Sequence, residues 1–329
     1  MPTLAPTASP GPIARPSRRA CIVAALAVPI LLPLAGCSPD EDSAYRPSFS
    51  DKAPSRETTY VFGVHPLHNP ARLFEVYQPL IDLLNSRLDR APDRPDGRIR
   101  FRLEASRNYA AFEDKMARHH FAFALPNPYQ TIVSLGQGYR VFGKMADDEN
   151  FRGIILTRKD GPVARLEDLR GKAIGYPAPT ALAATMLPQR FLHDHGIDVT
   201  RDIDNRYVGS QESAIMNVYL GTTAAGATWP PPWRTFAREH PDIAAQLDVR
   251  WETPSLLNNG LVVRDDVPDG LARAVGAVLF DLHASREGQA ILAGMELSRF
   301  VPADDATYRP VAEFLDRFAR DVRPIGGTP

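Results

Sequence analysis

The sequence predicts an α/β protein with two lobes. Three observations support this fold class: strand-like and helix-like segments alternate from residue 59 onward, the alternation restarts after a strand-like run at 153–157, and the 329 residues suffice for two cores once a predicted leader is removed. Strands and helices that alternate in this way favour mostly parallel sheets with helices on both faces. We therefore predict two α/β units joined by two crossing strands.

The leader is predicted at residues 1–36. Three arginines precede an apolar run at 20–34, which is the order of a secretory signal. The run is about 15 residues long, whereas a membrane-spanning helix needs roughly 20. Two prolines also interrupt it. The pattern therefore indicates export and not a transmembrane helix.

The apolar run ends in Leu-Ala-Gly-Cys at residues 34–37, which resembles the bacterial lipobox. The resemblance implies cleavage before Cys37, lipidation of its thiol, and anchoring on the periplasmic side of the cell envelope. Acyl chains contribute about 0.8 kcal/mol per buried CH₂, so two or three of them hold a protein stably. The alternative is an ordinary signal peptide with a Cys near its cleavage site. Residues 37–58 are predicted to be the lipidated Cys and a polar tether.

Cysteine content and charge exclude several classes of protein. Cys21 leaves with the leader and Cys37 is expected to carry lipid, so the mature chain has no thiol for a disulfide, a metal or catalysis. The formal net charge of −1 gives no basic excess for nucleic acid. We expect a monomer without a nucleic-acid partner.

The first series of elements lies between residues 59 and 150. Its predicted helices carry apolar residues at helical spacing, and its predicted strands are rich in β-branched and aromatic residues. In chain order the elements are a strand at 59–64, a helix at 72–88, a loop at 89–97, a strand at 99–103, a helix at 109–118, a strand at 121–125 and a helix that ends at 135.

The second series begins with the strand at 153–157 and ends when the chain returns near residue 254. In chain order the elements from there to the C-terminus are a connector at 166–171, a strand at 173–176, a helix at 181–193, a strand at 206–208, a helix at 213–220, strands at 224–229, 249–252 and 261–264, and helices near 271–282, 287–293 and 308–318. This order predicts lobe one at 59–150 plus 254–322 and lobe two at 151–253.

Four segments carry a resemblance to a known family. They are residues 121–129 (FAFALPNPY), 153–158 (GIILTR), 166–172 (LEDLRGK) and 209–218 (GSQESAIMNV). These segments resemble the phosphonate-binding family of ABC-transporter substrate-binding proteins, and the likeness runs from about residue 60 to residue 318. It implies the type II periplasmic binding fold and hinge closure around a small phosphorus oxyanion (phosphonate, phosphite or phosphate). It also implies delivery to a transporter permease, without a cofactor.

Elementary physics also predicts an anion site. Loops at 127–130, 179–184 and 210–213 each follow a predicted strand and begin a predicted helix. Helix N-termini favour negative charge, and ligands of open α/β sheets lie beyond the carboxyl ends of the strands. Three converging N-termini can hold an oxyanion without a full countercharge.

The resemblance gives ligand contacts to a tyrosine, a hydroxyl-rich run and a Gly-Ser segment. This chain departs from the family pattern, because only Thr180 and Thr185 keep hydroxyls in the run and Gln211 replaces the usual His. His65 and His68 follow the first strand and could replace the missing donors; alternatively, His65 only ends the strand and His68 lies in solvent. The predicted ligand-binding residues are Tyr129, Asn127, Thr180, Thr185, Ser210, Gln211, His65 and His68.

Other residues and functions stay as alternatives. Trp229 and Trp233 flank three prolines and form either a ligand wall or a packed helix start, while Asn258 and Asn259 contact ligand or form a turn.

Aromatic side chains at this cleft would suit an organic ligand such as a thiamine precursor. A binding protein that serves a membrane sensor kinase would have the same fold. Three close His pairs lack carboxylates at metal-ligand spacing, and no hydrolase or phosphate-loop signature occurs, so we expect neither metal binding nor catalysis.

Overall fold

The computed structural model describes residues 57–91 and 94–325. The predicted leader, Cys37 and nearly all of the predicted tether lie outside the described residues. The first strand begins at Glu57, two residues before the predicted start of the folded part. Within the described ranges, no helix combines the length and the apolar character that crossing a membrane requires.

Strands and helices alternate along the described residues. The strands are β1 Glu57–Val64, β2 Arg90–Ala91, β3 Arg94–Glu104, β4 Phe123–Leu125, β5 Tyr139–Met145, β6 Ile154–Arg158, β7 Ala173–Tyr176, β8 Asp204–Tyr207, β9 Ala225–Thr228, β10 Leu247–Glu252, β11 Gly260–Arg264 and β12 Phe300–Pro302. The α-helices are α1 Pro70–Arg87, α2 Tyr109–Ala117, α3 Pro128–Leu135, α4 Leu187–Asp194, α5 Gln211–Tyr219, α6 Pro230–Glu239, α7 Pro241–Ala244, α8 Asp269–Phe280, α9 Arg286–Gly294 and α10 Arg309–Asp321.

The strands form two sheets, and each sheet with its helices is one lobe. Lobe one contains seven strands in the order β12-β5-β11-β4-β1-β3-β2, and lobe two contains five in the order β10-β6-β9-β7-β8. The two-lobed α/β fold predicted from the sequence is therefore confirmed.

The prediction that the sheets are mostly parallel is wrong. β1 pairs in parallel with β3 and β4, and β7 pairs in parallel with β8 and β9, but the remaining pairs are antiparallel. The physical reason lies in the connections. β6 and β11 enter their sheets directly from the other lobe without a crossover helix, so they run against the direction of the parallel strands beside them.

Two crossing segments join the lobes, as predicted. The chain leaves lobe one after β5 and enters lobe two at β6, and it returns from β10 to β11. Backbone hydrogen bonds hold the crossings together: Thr253 N donates to Gly153 O at 2.9 Å, and Leu256 N donates to Phe151 O at 2.9 Å. The crossings are thus a two-stranded connection between the sheets.

Three local differences from the sequence-based expectations have simple causes. The predicted loop at 89–97 contains β2 and the start of β3, because these two strands pair with each other in antiparallel fashion. β12 has three residues, too few for a periodic pattern. The predicted helix at 181–193 begins as a π-helical turn, Leu182–Met186, and continues as α4.

Close approach at two glycines positions the binding elements. A Cβ on Gly63 in β1 would lie 2.6 Å from the ring of Phe121, and a Cβ on Gly226 in β9 would lie 2.4 Å from Ala214 O in α5. Glycine therefore lets the chain before β4 pack directly on β1, and α5 directly on β9. These contacts set the packing beside β1 in lobe one and of α5 on β9 in lobe two.

Candidate functional site

A small inner cavity lies where the two lobes meet. Its lining residues follow parallel strands of both sheets, at the carboxyl ends where open α/β sheets bind ligands. They are His65 after β1, Tyr109 after β3, Asn127 after β4, 181–184 after β7, Gln211 after β8, Trp229 after β9, and Phe151 on a crossing segment. The cavity volume is about 10 Å³, room for roughly one water. The lobes are therefore closed on each other.

Two of the three predicted helix N-termini are present at this junction. Asn127 caps α3, because its Oδ1 accepts from Gln130 N at 3.0 Å and its own N–H donates to Gln130 Oε1 at 3.1 Å. Ser210 caps α5 by accepting from Ser213 N at 3.0 Å. The third loop leads into the π-helical turn, which has no side-chain cap.

His65 is buried in the inner cavity with one ring nitrogen already bonded. Its Nδ1 and its backbone N both lie within hydrogen-bond distance of Leu125 O, at 3.0 and 3.2 Å. A carbonyl oxygen only accepts, so Nδ1 carries the proton. Burial lowers the pKa of His65 to about 4, although the Leu125 carbonyl opposes this shift. His65 is therefore neutral at physiological pH and not a cation.

Gln211 connects the lobes from the other side of the cavity. It is buried, its Oε1 accepts from Thr228 Oγ1 at 2.8 Å, and its Nε2 lies 3.4 Å from Tyr109 Oη. Tyr109 is fully buried, and that burial raises its hydroxyl pKa well above the usual value. Tyr109 and Gln211 are thus neutral hydrogen-bonding groups that face each other across the cleft.

Both predicted threonine hydroxyls already have acceptors. Thr180 Oγ1 donates to Glu113 Oε1 at 2.6 Å, and Thr185 Oγ1 donates to Ala178 O at 2.8 Å. Glu113 belongs to lobe one and also accepts from Gln130 Nε2 at 3.0 Å, so it bridges the lobes. Asn127 adds a second bridge, because its Nδ2 donates to Thr180 O at 3.0 Å. Thr180 thus lies at the junction of the lobes, whereas the Thr185 hydroxyl bonds a backbone oxygen within lobe two.

Tyr129 is half-buried and does not line the inner cavity. Burial and the nearby carboxylate of Glu113 raise the pKa of its hydroxyl, while Arg323 acts in the opposite direction. Tyr109, which the sequence reasoning missed, lies in the cavity instead. It begins the helix after β3, and that position relative to a parallel strand was the signal that could have identified it.

An outer groove of about 350 Å³ adjoins the inner cavity at Gln211. It lies between the start of α1 in lobe one and α5 and α6 in lobe two. Its charged side chains are Arg72, Glu75, Glu212 and Glu239. His68 and Ser210 also line this groove and not the cavity. Burial and the nearby Arg72 lower the pKa of His68 to about 4.

Charged contacts between the lobes lie at the rim of the cleft. Beyond the outer groove, Glu296 of lobe one pairs with Arg234 at 2.8 Å and with Arg238 at 2.5 Å, both from α6. Elsewhere along the interface, Arg190 of α4 pairs with Asp321 of α10 at 2.8 Å. Arg323, which follows α10, donates to Gln189 Oε1 at 2.8 Å and to Pro179 O at 2.7 Å. We call these interactions the rim contacts.

Of the remaining candidate residues, one tryptophan lines the cavity, and the others pack or bond elsewhere in the fold. Trp229 lines the cavity with its ring 5.5 Å from Phe151, whereas Trp233 packs 6.2 Å from Phe236 away from the cavity. Asn258 Nδ2 donates to Ala146 O at 2.7 Å and Asn259 Nδ2 lies 3.5 Å from Met145 Sδ, so both support the return crossing. No group of three potential metal ligands occurs within 57–91 and 94–325.

Comparison with known proteins gives a family and a fold. A family model described as ABC transporter, phosphonate, periplasmic substrate-binding protein matches residues 62–308. A binding protein component of an ABC phosphonate transporter from Pseudomonas aeruginosa has a similar structure, with a TM-score of 0.72, 16% identity, and coverage of 80% of this chain and 87% of that chain. No curated protein sequence has a significant match to this chain.

Two further solved structures are similar. PhnD1 from Prochlorococcus marinus, in complex with methylphosphonate, has a TM-score of 0.70 and 16% identity and covers 80% of this chain and 98% of its own. A Xanthomonas citri protein bound to chloride ion has a TM-score of 0.64 and 16% identity, with coverage of 80% and 98%. Identities this low show the shared fold, the two-lobed type II periplasmic binding fold.

Proposed function

This chain belongs to the family of periplasmic substrate-binding proteins of phosphonate ABC transporters, and from that premise we propose that it captures a small phosphorus oxyanion in the inner cavity. The ligand would be a phosphonate, phosphite or phosphate, delivered afterwards to the transporter permease. The observation that carries this proposal is the cavity itself. Residues from both lobes meet there at the carboxyl ends of parallel strands, beside the capped start of α3.

Neutral donors and helix N-termini would bind the anion. The starts of α3 and α5 favour negative charge. The Tyr109 hydroxyl has no acceptor among the described residues, and neither does the Trp229 indole N–H. Buried hydrogen bonds to a charged ligand are stronger than neutral ones, so a few such donors can hold an oxyanion in a site of this size.

Ligand entry would require the lobes to separate. Room for roughly one water cannot accept a phosphonate, which has at least five heavy atoms. The two crossing segments would absorb the rotation, with lobe one at 59–150 plus 254–322 and lobe two at 151–253 as the moving bodies. A ligand that contacts both lobes would stabilise a closed form with a wider cavity than this one, and the permease would recognise that closed surface.

The cell-envelope location would follow from the leader. Cleavage before Cys37 and lipidation of its thiol would anchor the monomeric protein to a membrane on the periplasmic side. Mass spectrometry of the protein from its native host would test this, since a diacylated N-terminal Cys37 supports the anchor and an unmodified N-terminus opposes it.

Thermal unfolding of the full-length chain with a ligand panel tests the proposed function. The panel contains methylphosphonate, aminoethylphosphonate, phosphite, phosphate, sulfate, thiamine and zinc. A ligand that binds only the folded state stabilises it by about 2.7 kcal/mol at one hundred times its dissociation constant. A raised midpoint with a phosphorus oxyanion supports the proposal. A response only to thiamine or zinc, or to nothing in the panel, contradicts it.

A further inference from the structure

The inner cavity presents an unusual charge pattern for an anion site. None of the described residues that line it is a lysine or an arginine, and its one histidine is neutral at physiological pH. The carboxylate of Glu113 acts on the cavity residue Tyr109 and accepts from Thr180 and Gln130 at the junction of the lobes. A doubly charged anion would therefore enter without a countercharge and close to a negative group, which costs free energy in a buried site.

His65 adds a hydrogen-bond acceptor to this cavity. Leu125 O lies within hydrogen-bond distance of both the backbone N and Nδ1, so the ring is held in one tautomer. The other ring nitrogen, Nε2, then has a lone pair and no proton. No described residue bonds Nε2, which leaves it available to a ligand in the cavity.

An acceptor discriminates between protonation states of an oxyanion. A deprotonated oxygen next to Nε2 would bring two lone pairs together, whereas a P–OH group would donate a hydrogen bond to it. Leaving a buried acceptor unpaired is costly, so a site of this kind favours the ligand that carries the proton.

We propose that His65 makes the cavity selective for the singly protonated monoanion of a phosphorus oxyanion, because its Nε2 accepts a hydrogen bond from the ligand P–OH. Oxyanions that carry no proton near neutral pH, such as sulfate, are then rejected. This inference rests on the proposed function and adds a specificity-determining residue to it.

The titratable groups around His65 do not change this conclusion. His68 follows in the same loop and is also neutral at physiological pH, because its pKa is lowered to about 4. Tyr109 of α2 lies edge-on at 6.2 Å and keeps its proton. Glu113 does not line the cavity but acts electrostatically on Tyr109, and lobe two brings no titratable side chain to the cavity.

The test is isothermal titration of the full-length chain with methylphosphonate and sulfate between pH 5.5 and 8.5, in paired buffers of different ionisation enthalpy. Above the second pKa of methylphosphonate, its affinity should fall about tenfold per pH unit, and each binding event should take up one proton. Sulfate should not bind. Affinity that is constant or rises across that pKa, without proton uptake, overturns the role of His65 while the binding itself still supports the proposed function.

A matched pair of variants assigns the effect to His65. His65→Gln offers an amide that can donate as well as accept, so we expect proton uptake to fall towards zero and sulfate to gain measurable affinity. His283→Gln is the control, because His283 Nδ1 also bonds a backbone carbonyl, Phe280 O at 2.9 Å, on the exposed surface. Unchanged proton uptake in folded His65→Gln would contradict the inference. If that variant does not fold, the pH profile of the unaltered chain decides.

Discussion

The inner cavity and the rim contacts both lie between the two lobes, but uncharged side chains form the first and charged side chains form the second. Uncharged groups meet in the cavity: Tyr109 and Gln211 face each other, and His65 is neutral. Charged groups meet at the rim, where Glu296 pairs with Arg234 and Arg238. Under the proposed function we infer a division of labour, in which the cavity would select the ligand and the rim contacts would set how easily the lobes close.

Burial explains why the two regions differ. A charge inside the closed cavity would need a partner or a ligand at all times, whereas rim charges can return to water when the lobes separate. The rim ion pairs are partly exposed: the Glu296 side chain keeps 12% of its area exposed, and those of Arg234 and Arg238 keep 42% and 60%. Water can therefore reach these charges when the lobes separate, whereas a charge inside the closed cavity stays out of water.

The largest expected effect is from a negative charge in the cavity. Gln211→Glu keeps the size of the side chain and an acceptor for Thr228, but it places a carboxylate beside the bound anion. Like charges in an interface cost several kcal/mol, so the affinity for methylphosphonate at pH 8 should fall about 100-fold or more. Calorimetric titration measures this. Glu212→Gln changes the exposed neighbour in the outer groove, and its affinity should stay within about threefold of the unaltered chain. Equal losses of affinity in both variants would indicate that the ligand binds outside the cavity.

The next effect separates two tyrosines. Tyr109→Phe removes a hydroxyl inside the cavity, and the loss of a hydrogen bond to a charged ligand should lower affinity about tenfold to 100-fold. Tyr129→Phe should have a smaller effect, because Tyr129 does not line the cavity. Titration of both variants, with folding checked by circular dichroism, decides between them. A larger loss for Tyr129→Phe would favour the contact that the family resemblance implies.

A smaller effect is expected at the rim. Glu296→Gln weakens the contacts with Arg234 and Arg238, so the closed form should be less populated and affinity should fall about three- to tenfold without a change in ligand preference. Small-angle scattering of the unliganded variant should show a larger radius of gyration. Glu313→Gln, an exposed carboxylate of α10, is the control. A changed ligand preference in Glu296→Gln would contradict the proposal that the rim contacts affect closure and not ligand selection.

The smallest effect concerns stability and pH. The folded-state pKa of His65, about 4, lies below the unfolded value of 6.5, so the unfolded chain takes up a proton first as the pH falls. Stability is therefore fully present above pH 6.5 and is lost progressively between about 6.5 and 4; the loss at pH 6 is on the order of 1 kcal/mol. Thermal unfolding across this range should show a weaker pH dependence in His65→Gln. An equal dependence in both proteins would mean that His65 is not buried neutral.

Much of the fold could be predicted because local patterns determine it. The helices α1, α3 and α10 carry apolar residues at helical spacing, and Asn127-Pro128 is a typical helix start. The direction of the crossing strands was not predictable in the same way. It depends on which sheet a strand joins, and that is a long-range property that no short window of sequence contains.

The sequence predicted where the candidate residues lie better than it predicted the hydrogen-bond partners of their side chains. Asn127, Gln211 and His65 follow strands directly and do lie in the cavity. Thr185 has a hydroxyl, but this hydroxyl donates to Ala178 O, 7 residues earlier in the chain. Tyr109 was missed although it begins the helix after β3, because the family resemblance directed attention to Tyr129 instead. Which partner a polar group takes is decided by packing.

Intrinsic fluorescence is the measurement that most directly tests whether the ligand binds in the inner cavity. The chain has three tryptophans, and Trp229 lines the cavity while Trp233 packs against Phe236. Methylphosphonate should change the emission of the full-length chain and of Trp233→Phe, but not of Trp229→Phe, although titration calorimetry still detects binding there. A response that persists in Trp229→Phe and disappears in Trp233→Phe would place the ligand elsewhere and contradict the account.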